Sequence, residues 1–162
     1  MKVLGIDPGT AACGYGIVHE SGGRLRAVVH GWWRTSARDR PEERLKTIYN
    51  GVTELIAAHA PDAVALEESF VCADARIALS VGQARGVVLV AGANAGVHCA
   101  EYTPATVKQC VCGYGRADKL QVQKMVKAIL GLAELPQPNH AADALAVAIC
   151  HALSPPLLRR VS

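Results

Sequence analysis

The sequence predicts an α/β fold with a mixed five-stranded sheet, in which three antiparallel strands precede two parallel ones and helices cover both faces. Two observations predict it. The first third holds short apolar segments separated by glycine-bearing turns, a pattern typical of hairpins. The remainder alternates between apolar residues at three- and four-residue steps and short apolar runs, which indicates helices alternating with buried strands. Hairpins followed by right-handed β-α-β crossovers give this sheet.

Three strands are predicted at the start of the chain. They span residues 2–7, 15–20 and 24–33, and the segments 8–14 and 21–23 that join them carry glycines. Strands joined by such short turns pair as an antiparallel meander.

The period of the apolar residues changes near residue 40. The segment 40–60 has the pattern of an amphipathic helix, and Pro41 suits its first turn. Residues 62–68 form a short apolar run ending in two glutamates, which is typical of a buried parallel strand. A small-residue-rich helix over 74–95 and a strand over 97–102 follow.

Two helices complete the predicted fold, one over 118–132 that Asp118 can cap, and one over 140–153. The segment before the first of them, "QCVCGYGRAD", contains Gly113 and Gly115 and is predicted to be a flexible loop. The expected order is therefore β-β-β-α-β-α-β-α-α.

Length and composition suggest one domain over residues 1–153 with a flexible tail over 154–162. The net charge of +3 permits a polyanionic partner without requiring one. Asp7 interrupts the N-terminal apolar segment, and no apolar run reaches the ~18 residues of a membrane span, so we expect a soluble cytoplasmic protein without a membrane partner. The six cysteines form no Cys-x-x-Cys pair, which favours reduced structural thiols over a zinc site.

The helix predicted over 74–95 contains Gly82, Gly86 and Gly92. A glycine inside a helix destabilises it by ~1 kcal/mol relative to alanine, so three of them suggest that another element approaches closely. That element is either the sheet of the same chain or a second subunit. We favour a subunit interface, and hence a homodimer, because other helices are available to cover the sheet.

Carboxylates are predicted to meet at one edge of the sheet. Asp7 ends the first strand, and Glu67 and Glu68 end the fourth. The carboxyl ends of parallel neighbours lie at the same edge, where ligand sites of α/β proteins form. Neighbouring strand residues face opposite sides, so only one of the two glutamates can join Asp7, and alternation alone does not choose between them.

The last helix begins in the segment "PNHAADALAVAI", which places His140 and Asp143 three residues apart on one face. One interpretation is local: Asp143 complements the helix dipole and His140 is a surface residue. The other is functional, because this helix start can meet Asp7 and one glutamate at the sheet edge. Such a cluster needs a cation, and two divalent ions ~3.5–4 Å apart are the usual arrangement for phosphodiester hydrolysis.

Five segments in the same order carry a resemblance to a known family. The segments "GIDPGTAACGYGIV", "ALEESF", "GQARGVVLVA", "VKQCVCGYGRADKLQVQKMV" and "HAADALAVAI" resemble the RuvC-type Holliday-junction resolvases, dimeric endonucleases of the ribonuclease-H-like superfamily. The resemblance covers nearly the whole chain. It implies a ribonuclease-H-like fold, two Mg²⁺ or Mn²⁺ ions, and symmetric nicking of a four-way DNA junction in recombination and repair. It also implies the RuvA–RuvB branch-migration complex as a partner.

The resemblance implies four metal-binding positions, which fall here on Asp7, Glu67, His140 and Asp143, and so it selects Glu67 over Glu68. The family often carries aspartate where this chain has His140. Imidazole nitrogen suits Mn²⁺ better than Mg²⁺, so the histidine points to a preference for Mn²⁺. Whether His140 is a metal ligand or a general base stays open at this point.

Basic and aromatic residues are candidate contacts to DNA. Lys108 and Lys119 flank the predicted loop that holds Arg116, an arrangement that suits phosphate contacts or a solvated surface. The resemblance raises both lysines to site residues and gives Lys119 a catalytic role as well. Phe70 follows Glu67 by three residues, where it could stack on an unpaired base or simply lie in the core.

Two other functions fit part of the sequence. The segment "DPGT" at 7–10 resembles the first phosphate loop of actin-like ATPases and kinases, although those proteins use two such domains around a nucleotide. A ribonuclease-H-like relative could instead act on structured RNA, or bind nucleic acid without cutting it. The complete set of acidic residues argues against a purely binding role.

Overall fold

The computed structural model describes residues 1–68 and 74–154 and contains the five-stranded sheet that the sequence predicts. Phe70 and all of the predicted tail except Ser154 lie outside the described residues. The strands are β1 (Lys2–Asp7), β2 (Ala12–Ser21), β3 (Arg24–Arg34), β4 (Ala63–Glu67) and β5 (His98–Tyr102). The helices are α1 (Pro41–His59), α2 (Ala75–Asn94), α3 (Pro104–Cys112), α4 (Lys119–Leu130) and α5 (Asn139–Leu153).

The strand order in the sheet is β3-β2-β1-β4-β5. β1, β2 and β3 form the predicted antiparallel meander. β4 runs parallel to β1, with Ile6 opposite Leu66, and β5 runs parallel to β4. The mixed sheet with three antiparallel strands and two further parallel ones is therefore confirmed.

The structure corrects the sequence prediction in two places. β2 begins at Ala12, so the turn predicted over 8–14 is shorter than expected. The predicted flexible loop is partly helical, because α3 spans Pro104–Cys112 and ends at Gly113. Thr103 caps this helix by accepting a hydrogen bond from the Thr106 backbone, and a proline at its first position suits a helix start.

Helices cover both faces of the sheet and enclose two separate cores. On one face, α3, α4 and α5 pack on strand residues such as Val3, Ala65 and Ala100. On the other face, α1 and α2 pack on Leu4, Leu66 and their neighbours. The alternation of side chains along each strand supplies both cores.

α5 lies close against the sheet and is almost entirely buried. A Cβ at Gly5 would overlap the Ala144 carbonyl oxygen, and a Cβ at Gly14 would overlap the His140 carbonyl oxygen. The absence of side chains at these two strand positions therefore lets the backbone of α5 approach the strands. This close contact fixes the start of α5 above the ends of β1 and β2.

α2 is more exposed than α5, with Ala84, Val88, Ala91 and Gly92 as its buried residues. Within residues 1–68 and 74–154 it is the one helix long and apolar enough to cross a membrane by length and composition, a test that core helices of soluble proteins also pass. The expectation of no membrane partner stays a prediction.

Candidate active site

Asp7 and Glu67 lie at the same edge and on the same face of the sheet. β1 and β4 are parallel neighbours, so their carboxyl ends coincide. Val3 and Ala65 face the core under α5, whereas Leu66 faces the core under α1 and α2. Asp7 has the same parity as Val3, and Glu67 the same as Ala65, so both carboxylates face α5.

Glu68 points away from this group. Its charge acts on Arg85, which pairs with Glu101. Arg85 belongs to α2. Glu101 of β5 has the same parity as Cys99, which packs against the core under α1 and α2. The two glutamates therefore differ in surroundings, and Glu67 is the one that shares a face with Asp7.

The first turn of α5 brings His140 and Asp143 to this edge of the sheet. Nδ1 of His140 lies 2.7 Å from Oδ2 of Asp7, which accepts a hydrogen bond from the imidazole. The side chain of Asp7 is only 18% exposed, whereas that of His140 is 44% exposed. The histidine therefore sits at the mouth of the site with its ring anchored to the more deeply placed carboxylate.

Asp143 is paired with a lysine from the neighbouring helix. Nζ of Lys119 lies 3.0 Å from Oδ2 of Asp143. Lys119 is the first residue of α4, and the start of that helix is fixed by a capping box between Asp118 and Gln121. The cap thus determines where the lysine side chain leaves the backbone.

A cavity of about 230 Å³ joins these residues to a second lysine. Its charged lining residues come one each from β4, α3, α4 and α5. They are Glu67, Lys108, Lys119 and Asp143. Apolar side chains of α3, α4 and α5 complete its wall. The cavity therefore combines two carboxylates with two ammonium groups.

Two carboxyl groups of the site, those of Glu67 and Asp143, have raised pKa values. The pKa of the Glu67 carboxyl is raised to about 7, first by burial and then by the charges of Asp7 and Asp143, with Lys108 and Lys119 opposing the rise. Burial and the charge of Asp7 likewise raise the pKa of Asp143, against the hydrogen bond from Lys119. The lysines thus compensate the negative charge only in part, which is the electrostatic condition of a cation site.

The pKa of the His140 imidazole is raised as well, but for an imidazole a raised pKa favours the charged form. The hydrogen bond to Asp7 raises the pKa of His140, while burial and the charge of Lys119 lower it. A protonated His140 neutralises part of the charge of Asp7. In its protonated form the imidazole makes an ion pair with Asp7, and that ion pair is what raises its pKa.

The donor types fit a divalent cation, although the side chains are not gathered around one point. In the described part of the chain, no three His, Cys, Asp or Glu residues lie close enough together to hold one metal ion. Asp7 is turned toward His140, and Asp143 is turned toward Lys119. Three carboxylates and one imidazole at a single sheet edge remain a suitable donor set for Mg²⁺ or Mn²⁺.

Two predicted DNA contacts have a different outcome from the lysines. Arg116 is exposed in the turn between α3 and α4 and does not line the cavity of Glu67 and Lys108. Phe70 lies outside the described residues. A role in DNA contact stays a prediction for these two residues and for both lysines.

Sequence reasoning missed a group of residues beside the site. Arg44 of α1 donates hydrogen bonds to Thr10 and Thr35, and Thr10 also bonds to Ser80 of α2. The "DPGT" segment offered a signal, since a threonine in a tight turn is suited to hydrogen bonding. The separation of 34 residues between Thr10 and Arg44 hid the contact.

The chain is similar to known proteins over nearly its whole length. The family model described as crossover junction endodeoxyribonuclease RuvC matches residues 3–151. The crossover junction endodeoxyribonuclease RuvC of Moorella thermoacetica is 54% identical over 160 residues, covering 99% of this chain and 96% of that protein. The structure of T. thermophilus RuvC in complex with Holliday junction substrate is 41% identical, with a TM-score of 0.92, and the match covers 99% of this chain and 96% of that one. The yeast mitochondrial Holliday junction resolvase Ydc2 shares the fold at 11% identity, with a TM-score of 0.64.

Proposed function

The chain belongs to the RuvC family of crossover junction endodeoxyribonucleases, and from this premise we propose that it resolves four-way DNA junctions at the sheet edge that holds Asp7 and Glu67. It is a DNA endonuclease of the hydrolase class with a ribonuclease-H-like fold, and it acts in recombination and repair. Cleavage is divalent-metal dependent, as in this family generally.

The convergence of partly compensated carboxylates supports this proposal most strongly. A Glu67 carboxyl with its pKa near 7 costs stability when it is ionised at neutral pH. If these residues served only to pack the core, the protein would gain nothing from this loss of stability. A bound cation removes it, because the charge that repels another carboxylate attracts the metal.

Four residues are proposed to hold two ions, namely Asp7, Glu67, His140 and Asp143. The ions, when bound, supply a Lewis acid for the scissile phosphate and a nucleophilic hydroxide. The protein's part is to bring the ligands to one edge and to hold them on rigid elements. His140 is proposed as a ligand that favours Mn²⁺ over Mg²⁺ through its nitrogen, with the base role as the alternative that the metal dependence tests.

The lysines are proposed to act on the phosphate. Lys119, 3.0 Å from Asp143, orients that carboxylate and adds positive charge beside the reacting group. Lys108 lines the same cavity from α3 and is placed to contact the strand. Arg116 and Phe70 are proposed as further DNA contacts, the first with backbone phosphate and the second with an unpaired base.

A second copy of the chain is proposed as the partner of α2. Leu79, Gly82, Gly86 and Val90 recur at three- and four-residue steps, so they lie on one face of the helix. Leu79 is 66% exposed and Val90 53% exposed, and a Cβ at either glycine would meet nothing within 4 Å. An apolar stripe with two bare glycines suits close packing of two identical helices, and a two-fold dimer suits paired nicks in a junction.

Two further features of the proposal concern the cell. We propose a cytoplasmic enzyme without a membrane partner. The RuvA–RuvB branch-migration complex is proposed to deliver the junction.

Comparing nucleic-acid substrates tests the proposed function directly. A synthetic four-way DNA junction, linear duplex DNA, an RNA–DNA hybrid and a structured RNA would be incubated with the protein and either Mg²⁺ or Mn²⁺. We expect paired, symmetric nicks in the four-way junction alone. Preferential cutting of the hybrid or the structured RNA would replace the proposed function with that of an RNA-directed relative.

Three variants test the site itself. Asp7→Asn and Glu67→Gln should each abolish nicking while leaving fold and junction binding intact, because a neutral amide cannot balance a divalent ion. Glu68→Gln is the matched control, since this neighbour faces Arg85 instead. An active Glu67→Gln together with an inactive Glu68→Gln would refute the assignment.

A further inference from the structure

We propose that the cavity beside the active site, between the β1–β2 turn and the first turns of α1 and α2, binds a second backbone phosphate of the strand that is cut. The proposed ligand is a phosphodiester anion, and Arg44 is its main contact. This inference rests on the proposed function and adds to it a binding subsite away from the reacting phosphate.

The cavity has a volume of about 440 Å³ and is continuous with the active site, because His140 forms part of its wall. Its other polar lining residues include Thr10, Arg44, Arg76 and Ser80. The described lining residues include two arginines and a histidine and no carboxylate. Most of the wall is apolar, but its permanently charged groups, Arg44 and Arg76, are both cationic and therefore favour an anion.

The Arg44 guanidinium is fixed in place by neutral groups. Its Nε donates to Oγ1 of Thr35 at 3.0 Å, and its Nη2 donates to Oγ1 of Thr10 at 3.2 Å. Thr35 in turn donates its own proton to the carbonyl oxygen of Thr10. The hydroxyl of Thr35 is thereby committed as the acceptor for Arg44, which holds the planar fork in one orientation.

The positive charge of Arg44 remains uncompensated within the cavity. Two other arginines differ in this respect, because Arg85 pairs with Glu101 and Arg40 pairs with Glu42. Among residues 1–68 and 74–154, no carboxylate lies within ion-pair distance of Arg44. A guanidinium that is oriented but not neutralised is suited to bind an external anion, and the planar fork matches two phosphate oxygens.

The remaining polar groups add to the same ligand site. Arg76 enters the cavity from the first turn of α2, and its side chain is exposed and able to adjust. The hydroxyls of Thr10 and Ser80 are hydrogen-bonded to each other beside Arg44. A backbone phosphate would thus meet one fixed cation, one adaptable cation and the one hydroxyl proton that the Thr10–Ser80 pair leaves free.

The position of the cavity identifies which phosphate it binds. Asp7 ends β1 and Thr10 lies three residues further along the chain, so the two sites lie on either side of one turn. A single DNA strand that places its scissile phosphate at Asp7 and Glu67 passes His140 to reach Arg44. The subsite would therefore hold a phosphate a few nucleotides from the cut and set the register of the strand.

This inference is tested by removing single charges from the DNA and from the protein in the same experiment. Junctions would carry a single neutral methylphosphonate at each successive position near the cut. Binding and single-turnover nicking would be measured for the parent, Arg44→Met, Arg44→Lys and Arg76→Met. Arg26→Met is the matched control, because Arg26 lies opposite His19 at the other end of the sheet.

In the parent, we expect one methylphosphonate position away from the scissile phosphate to weaken binding by about tenfold, as for one lost charge-assisted contact. In Arg44→Met, the same position should have no further effect, and the slope of log K against log salt should fall by about one. Arg44→Lys should recover the salt slope but only part of the affinity, because an ammonium lacks the fork. The Arg26→Met scan should match the parent's.

The outcomes separate this inference from the proposed function. A parent that leaves four-way junctions uncut defeats the proposed function. A parent that cuts, but whose scan shows no sensitive position beyond the scissile phosphate, overturns the subsite. An Arg44→Met variant that keeps the parent's scan, whatever its activity, reduces Arg44 to a structural brace. Should Arg44→Met fail to fold, the parent scan and Arg76→Met decide, since Arg76 is exposed and its loss leaves the Thr10 network intact.

Discussion

α5 and α2 have similar compositions and opposite surroundings. Both are rich in alanine and other small apolar residues, yet eleven of the fifteen residues of α5 are buried and only four of the twenty in α2. The difference lies in what each helix meets. α5 rests on strand positions that lack side chains, at Gly5 and Gly14, whereas the glycines at the middle of α2 face open space. Composition thus indicates that a helix can pack closely, and the partner decides where it does.

This contrast has a functional consequence. The close packing of α5 fixes its first turn, so His140 reaches Asp7 and Asp143 reaches Lys119. The open face of α2 is available to a second copy of the chain. One helix therefore places the chemistry, and the other is proposed to determine how many sites act together.

The largest expected effect comes from filling the space under α5. Gly5→Ala would place a Cβ against the Ala144 carbonyl oxygen and the Ala148 side chain. Overpacking of backbone costs more than overpacking of side chains, so we expect a loss of about 3 kcal/mol in the free energy of unfolding. Urea denaturation monitored by circular dichroism would measure it.

The matched substitution on the other helix is Gly82→Ala. A Cβ there meets nothing within 4 Å in the chain, and alanine is the better helix former. Under conditions that keep the protein monomeric, we expect a gain of about 0.5–1 kcal/mol. If Gly5→Ala and Gly82→Ala reduced the free energy of unfolding equally, the contrast between α5 and α2 would be wrong.

Much of this architecture can be predicted from the sequence. The strands, the crossovers and four of the helices follow from local periods and turns. α3 departs from the prediction because the glycines after it give the segment the composition of a loop, although Thr103 and Pro104 are start signals for a helix. The contrast between α5 and α2 could not be predicted, because it depends on long-range contacts with Gly5 and Gly14.

The second prediction concerns the open face of α2. Gly86→Leu adds a bulky side chain where the proposed dimer needs close approach, while the chain's own core is untouched. We expect the dissociation constant of the dimer to increase by at least about tenfold, while the unfolding midpoint of the monomer stays unchanged. Sedimentation velocity over a dilution series measures the dissociation.

Ala78→Leu is not a suitable control, since that position is partly buried. Ala58→Leu adds the same side chain at an exposed position of α1, away from the proposed stripe. It should leave association unchanged. If the dimer of Gly86→Leu dissociates no more readily than that of the control, the interface lies on another surface of the chain.

The third prediction concerns the charge held beside α5 in the metal-free protein. The folded pKa of Glu67 is about 7, above its ordinary value, so its protonated form is favoured by folding. The corresponding stability is present at acidic pH and is lost as the pH rises through about 7. The raised pKa of His140 acts in the same direction. In EDTA, we therefore expect the melting temperature to fall as the pH rises from about 4.5 to about 7 through Glu67, and the contribution of His140 extends the fall above its ordinary pKa of 6.5.

Glu67→Gln should flatten this dependence and stabilise the metal-free protein at pH 8 by about 1–2 kcal/mol, allowing for partial solvent screening. Glu68→Gln, on the α2 side, should keep the parent's profile. Adding Mn²⁺ to the parent at pH 8 should raise its melting temperature, because the metal binds only the folded state. A parent whose stability in EDTA is independent of pH would remove the electrostatic argument for a cation site.

The site was partly predictable for a physical reason. Strand ends and the helix start are local signals, so Asp7, the pair of glutamates, His140 and Asp143 could be found by position. Alternation left Glu67 and Glu68 undecided because the phase of a strand depends on which helix covers which face. Small residues on the strands could have decided between the two glutamates. Gly5 and Ala65 face the alanine-rich α5, and Glu67 has the same parity as Ala65.

The smallest expected effect is a change of metal preference at the first residues of α5. If His140 is a ligand, the parent should nick junctions faster with Mn²⁺ than with Mg²⁺, because a nitrogen donor is poorly suited to the oxygen shell of Mg²⁺. His140→Asp should remain active and shift the ratio of the two rates toward Mg²⁺ by a few fold. If His140 is a base acting on the attacking water, aspartate should replace it poorly with both metals. His140→Ala provides the third arm: nicking at the parent rate with both ions would make the histidine a bystander, held at the helix start only by its hydrogen bond to Asp7.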